Sequence, residues 1–205
     1  MLCNSRTKWD FIPELSLKED NIEVVQEMKY FGYVMRSNVR TCSNTEYLVK
    51  KEFKIMWLIR RLKGLGANTS QLIDALQKKA LSVLWLGAPA WFCQTTEKEK
   101  KYLDRVAKIG LRIIFGDFYC GFNNALLSAK MLRPTEQIAN MTRRFATKIA
   151  TRSKFSQWFQ PAATKTSNTR SSKNGQKYQM VLSRTARFGK SPIPYLTHIF
   201  NSKDK

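Results

Sequence analysis

The chain has 205 residues, 43% of them hydrophobic, and carries a formal charge of +21 with a pI near 10.1. That apolar fraction is enough for one packed domain, or for one and a half small ones, and it excludes wholesale disorder. So large a cationic excess self-repels in a compact state unless a polyanion is near. Nucleic acid is the first candidate, an anionic membrane surface the next, and plain solubility the blandest account.

The charge is unevenly spread. Residues 1–40 are net neutral, 41–116 carry +8, 117–150 carry +3 and 151–205 carry +10. At the neutral end, residues 11–17, 22–26 and 29–36 are short, apolar and β-prone, with a turn-like Lys18-Glu19-Asp20-Asn21 between the first two. They predict a small antiparallel sheet. Gly32, inside the third strand, predicts a bulge or the close approach of another backbone.

Asn44 or Thr45 is expected to cap a helix that runs to about Lys63 and is stopped by Gly64 and Gly66. Its apolar arc takes in Leu48, Val49, Phe53, Ile55, Met56, Trp57, Ile59 and Leu62; Lys50, Lys51, Lys54 and Arg61 share the opposite arc, with Leu58 among them. Such breadth predicts the central helix of a bundle. On one helix a basic arc reads as a solvated face, and the basic segments downstream add weight to a role in binding.

Thr69 or Ser70 opens a second helix that must end before Pro89. Residues 84–92 are the most apolar stretch, and Trp85 and Trp91 within it are read as core rather than as platforms for bases. Thr95 or Thr96 caps a third helix to about Phe115, with Gly116 as the stop. A short fourth helix is expected over 122–131. Pro134 opens a fifth, to about Thr151, burying Ile138, Met141, Phe145 and Ile149 and exposing Arg143, Arg144 and Lys148.

Residues 160–176 are rich in Ser, Thr and Asn with almost no apolar side chains, which predicts a flexible linker. Residues 177–205 regain aromatic content, interleaved with Arg184, Arg187 and Lys190. This tail is expected to dock on the bundle or to bind RNA or DNA, and docked aromatics with outward cations satisfy both. The expected fold is therefore mainly α: a small antiparallel β element over 1–40, a helical bundle over 41–159, a linker, and a flexible basic C-terminal arm.

Autonomous chemistry is disfavoured by missing parts. No Walker-type phosphate loop and no G-x-G-x-x-G occurs. Cys3, Cys42, Cys93 and Cys120 are far apart and His198 is the only histidine, so no standard zinc spacing can be assembled. The acids are scattered without a D-D or D-x-D pair to hold Mg²⁺. No cofactor and no metal are expected in this chain. No apolar run reaches membrane-spanning length, and the N-terminus lacks the layout of a secretory signal. The expectation is an intracellular protein, in nucleus or cytoplasm, with no membrane partner.

Three stretches, Met28-Lys29-Tyr30-Phe31-Gly32-Tyr33-Val34-Met35-Arg36-Ser37, Thr41-Cys42-Ser43-Asn44-Thr45-Glu46-Tyr47-Leu48-Val49-Lys50-Lys51 and Met56-Trp57-Leu58-Ile59-Arg60-Arg61-Leu62-Lys63, follow one another in order. Together with Ala88-Pro89-Ala90-Trp91, Leu103-Asp104-Arg105-Val106, Ile113-Ile114-Phe115-Gly116 and Ser191-Pro192-Ile193-Pro194-Tyr195-Leu196, this series resembles the region just past the palm of non-LTR (LINE-type) retrotransposon reverse transcriptases. The resemblance implies a primer-grip hairpin at Tyr30, Phe31, Gly32 and Tyr33, and thumb-like helices that clamp a template-primer duplex of RNA and DNA by its backbone. Lys50, Lys51, Lys54, Arg60, Arg61, Lys63, Arg184, Arg187 and Lys190 would supply the phosphate contacts. It also implies that the catalytic aspartates, and the Mg²⁺ they hold in a full-length enzyme, belong to fingers and palm lying upstream of these residues. The chain is then a non-catalytic fragment of an RNA-directed DNA polymerase. The alternatives are a helical protein-interaction module and a retrotransposon relic without function.

Overall fold

The computed structural model describes residues 15–17, 20–30, 32–37, 40–151, 155, 157–159 and 178–202. The expected linker over 160–176 lies outside them. The protein is mainly helical with a small antiparallel β element near its N-terminus. Two compact units are present, one of residues 1–87 with 95–135, the other of 88–94 with 136–205.

In the first unit, strands β1 (Leu15–Leu17) and β2 (Asp20–Ile22) form one antiparallel ladder, and β3 (Glu27–Tyr30) and β4 (Tyr33–Arg36) form another. The single third strand expected over 29–36 is thus two strands. Tyr30 pairs with Tyr33, so the chain reverses within two positions, and Gly32 supplies the required left-handed backbone at φ 79°. Neither a bulge nor the expected close backbone is what Gly32 serves: its nearest neighbour is a side chain, and a methyl added there would sit 3.3 Å from Leu86 Cδ2.

Helix α1 (Cys42–Gly64) is the centre of this unit. Leu48, Met56 and Ile59 are fully buried along it. It packs lengthwise against α5 (Glu97–Phe115), whose buried residues are Leu103, Val106, Ala107, Gly110, Leu111 and Ile114. The start of α1 differs from expectation. Its N-cap is Thr41, and Asn44 lies inside the first turn, fully buried. There the Asn44 Oδ1 accepts a hydrogen bond from Val34 N at 3.2 Å, so its side chain serves the neighbouring strand rather than its own helix.

Between these helices runs α2 (Thr69–Ala75), opened by an Asn68–Gln71 capping box one residue before the expected cap. It continues as a π-helical segment, Leu76–Leu81, and then α3 (Ser82–Trp85). Pure 3.6-residue spacing would turn Leu81 away from Leu76; the wider π spacing lets both bury completely. Gly110 of α5 faces this segment. A methyl there would lie 2.4 Å from Leu76 Cδ1, so glycine allows the two backbones to close. Helix α5 begins at Thr96 with a capping box to Glu99 and ends at Gly116 with φ 55°, as its sequence predicts. Helix α6 (Phe122–Ser128) is shorter than expected.

The second unit is built on α7 (Pro134–Ala150), a short helix α4 (Ala88–Trp91), and the tail helices α8 (Ala186–Gly189) and α9 (Pro192–Ser202). Ala146, Ile149, Phe159, Leu196, Ile199 and Phe200 form its core. Phe159 meets Phe200 edge-on at 5.2 Å and Tyr178 at 5.9 Å. Asn201 pins Tyr178 through both backbone polar groups, accepting from its N–H at 3.1 Å and donating to its carbonyl at 2.9 Å. Of the two fates expected for the tail, docking is present over residues 178–202. Trp91 is fully buried, as a core residue should be, whereas Phe145, expected inward on α7, is exposed.

Candidate nucleic-acid interface

The exposed face of α1 concentrates cations. Lys50, Lys51, Lys54, Arg60 and Arg61 are all solvent-exposed, and among the described residues none of them enters an ion pair. Lys50, Lys54 and Arg61 fall on one line because positions four and eleven residues apart return to the same side of an α-helix. The other acid-base pairs lie elsewhere: Lys78–Asp74 at 2.7 Å and Lys100–Glu97 at 2.6 Å are helix-surface pairs worth little.

The β3–β4 hairpin is fastened to the start of this helix. Ser43 Oγ donates to Glu27 Oε1 at 2.8 Å, and Glu27 also holds Arg36. The Arg36 guanidinium first, and the Ser43 hydroxyl next, keep the Glu27 carboxyl below its usual range. From β3, Lys29 reaches over the Tyr47 ring at 4.5 Å. The Lys29 ammonium lowers the Tyr47 phenol from its ordinary value, with smaller contributions from Lys51 and Lys54. The hairpin therefore adds a cation to the α1 face.

Trp57 corrects the sequence expectation. Placed within the apolar arc, it is instead 61% exposed. Its position explains this: it follows Lys50 by seven residues and precedes Arg61 by four, so it shares their side of the helix. The Arg61 guanidinium lies 5.7 Å from its ring centre. Trp57 and Lys29 are the two members of this face absent from the expected set. Helical spacing from Lys50 reveals the first; the second follows only from the hairpin register.

Lys63 is exposed but committed elsewhere. Its ammonium donates to the carbonyls of Ile113 at 2.7 Å and Ile114 at 3.0 Å, closing the last turn of α5. It is a helix cap before it is a phosphate ligand. In the hairpin, Tyr30 is exposed, Gly32 and Tyr33 are half-buried, and Phe31 lies outside the described residues. Arg184 and Lys190 are exposed on either side of α8, which contains Arg187; all three belong to the second unit. In that unit Asn140, Arg143, Arg144, Thr147 and Lys148 line a shallow, open depression on α7.

Among the described residues no three His, Cys, Asp or Glu side chains gather where they could hold a metal ion. Asp104 is occupied at the start of α7, accepting from Thr135 N at 3.1 Å and from its hydroxyl at 3.0 Å. Burial pushes the Cys93 thiol up to about 11, away from a nucleophile's range. No described helix is long and apolar enough to cross a membrane. No protein-family model, no curated protein and no solved structure matches the chain.

Proposed function

We propose that this chain is a non-catalytic nucleic-acid clamp that holds an RNA–DNA duplex by its phosphates. In this reading it is the primer-grip and thumb portion of a reverse transcriptase of the non-LTR retrotransposon kind, whose catalytic fingers and palm are separate from these residues. The observation that carries the reading is the α1 face, where Lys50, Lys54 and Arg61 line one side with Lys51 and Arg60 at its opposite edges, none of them in an ion pair among the described residues, and Lys29 leans in from the hairpin. Helix-borne Lys and Arg of this kind neutralise backbone charge without reading bases, so sequence tolerance follows. Intracellular residence, in nucleus or cytoplasm, follows from the ligand.

Fluorescence anisotropy with a labelled RNA–DNA hybrid tests this. Counterion release makes log K fall linearly with log salt, and four engaged cations give a slope of roughly −3 to −4. Hybrids of unrelated sequence should give the same line. Absence of binding in dilute buffer, or affinity that ignores salt, removes the proposal. A second reading, a helical protein-interaction module, draws on Phe118 and Leu127, which are 87% and 76% exposed. Salt-insensitive association with a protein would favour it.

A further inference from the structure

We propose that Trp57 is a stacking platform for an unpaired nucleobase, so that the α1 face engages the junction between duplex and single strand rather than duplex alone. The inference rests on the nucleic-acid reading above and goes past it, because phosphate contacts by themselves do not distinguish paired from unpaired strands.

Three observations carry it. A tryptophan 61% open to solvent, on the central helix of its unit, presents apolar ring surface where polar side chains would ordinarily sit. The ring lies among Lys50, Lys54 and Arg61, so a bound backbone would run past it. The Arg61 guanidinium, 5.7 Å from the ring centre, lies over the indole and orients it. Every base has a π-face, and a base freed from its partner can leave the stack and lie on such a ring; a paired base in the interior of a duplex cannot. Phe118, Phe145 and Tyr102 are also exposed rings, but among the described residues no cation lies over any of them as Arg61 lies over Trp57. Charge complementarity therefore selects an anionic, aromatic ligand for this face.

The test uses the full-length chain and two probes, a blunt RNA–DNA hybrid and the same hybrid with a short single-stranded extension. Wild type should bind the extended probe more tightly. Trp57→Ala should weaken the extended probe by roughly 5- to 150-fold, the range for one stacked base, and the blunt probe much less. Trp57→Leu should behave like Trp57→Ala, and Trp57→Phe should retain most of the binding. An unchanged unfolding midpoint for each variant shows that the exposed position does not support the fold. The inference is overturned if Trp57→Ala weakens both probes equally, if Trp57→Leu matches wild type, or if phosphatidylserine vesicles bind with the same Trp57 dependence. A wild-type chain that binds the blunt and extended probes equally well removes this inference alone. A wild-type chain that binds neither probe removes the nucleic-acid reading as well.

Discussion

Replacing Glu52 with glutamine should stabilise the protein by about 3 kcal/mol at neutral pH. Glu52 lies on the core side of α1 and is fully buried. Among the described residues neither of its carboxylate oxygens has a hydrogen-bond partner. Burial raises its pKa from 4.5 to about 8, with Lys51 offsetting only part of that. The folded protein therefore keeps a proton on Glu52 that the unfolded chain releases above its ordinary pKa. Stability from this group is complete below pH 4.5 and is lost progressively as pH rises to about 8. Each pH unit in that window costs about 1.4 kcal/mol. Denaturant unfolding of wild type and Glu52→Gln at several pH values isolates the effect, because other titrating groups are common to both. The expected result is a gap that widens from near zero at pH 4.5 and levels off above pH 8. A gap that is constant with pH, or a destabilised variant, would show that Glu52 is ionised and paired.

Reversing the charge at Lys50, Lys54 and Arg61 should weaken hybrid binding by several hundred-fold or more. Losing three phosphate contacts lowers log K by roughly 2.7 at 0.1 M salt, before any repulsion from the new carboxylates is counted. The salt slope should flatten by nearly three. A matched control, reversal at Arg143, Arg144 and Lys148 on α7, makes the same change in net charge. If the α1 cations make the phosphate contacts, that control should lose far less. Equal losses from both triples would mean that the total charge of +21, and not the α1 face, does the binding. The cations of both triples are exposed, so each reversal should change the unfolding free energy by no more than the fraction of a kcal/mol usual for surface changes.

What the sequence discloses here is what local chemistry decides. Thr96 and Gly116 bracket α5, and Pro134 opens α7, because capping and backbone restriction act within one turn. The basic face of α1 is equally visible from spacing alone. Features fixed by contacts between elements are not. Asn44 looks like a cap but is turned toward β4, and the hairpin divides at Gly32 where a single strand seemed continuous. The π segment is invisible to a period of 3.6, since Leu76 and Leu81 share a face only after the helix widens. Glu52 looks like a surface acid in a basic helix, and only the packing of neighbouring elements on α1 hides it. Trp57 errs the other way, because residue type suggested burial while angular position dictated exposure. Lys63 reads as one more cation of the series until the end of α5 arrives beside it.

Photo-crosslinking addresses the clamp most directly. The full chain is irradiated with an RNA–DNA hybrid carrying 4-thiouridine next to the junction, and the adducts are mapped by mass spectrometry. The α1 face predicts adducts in peptides spanning residues 43–63, centred on Trp57, and their disappearance as salt is raised. Adducts confined to the Arg184 to Lys190 tail, or none at all, would contradict it.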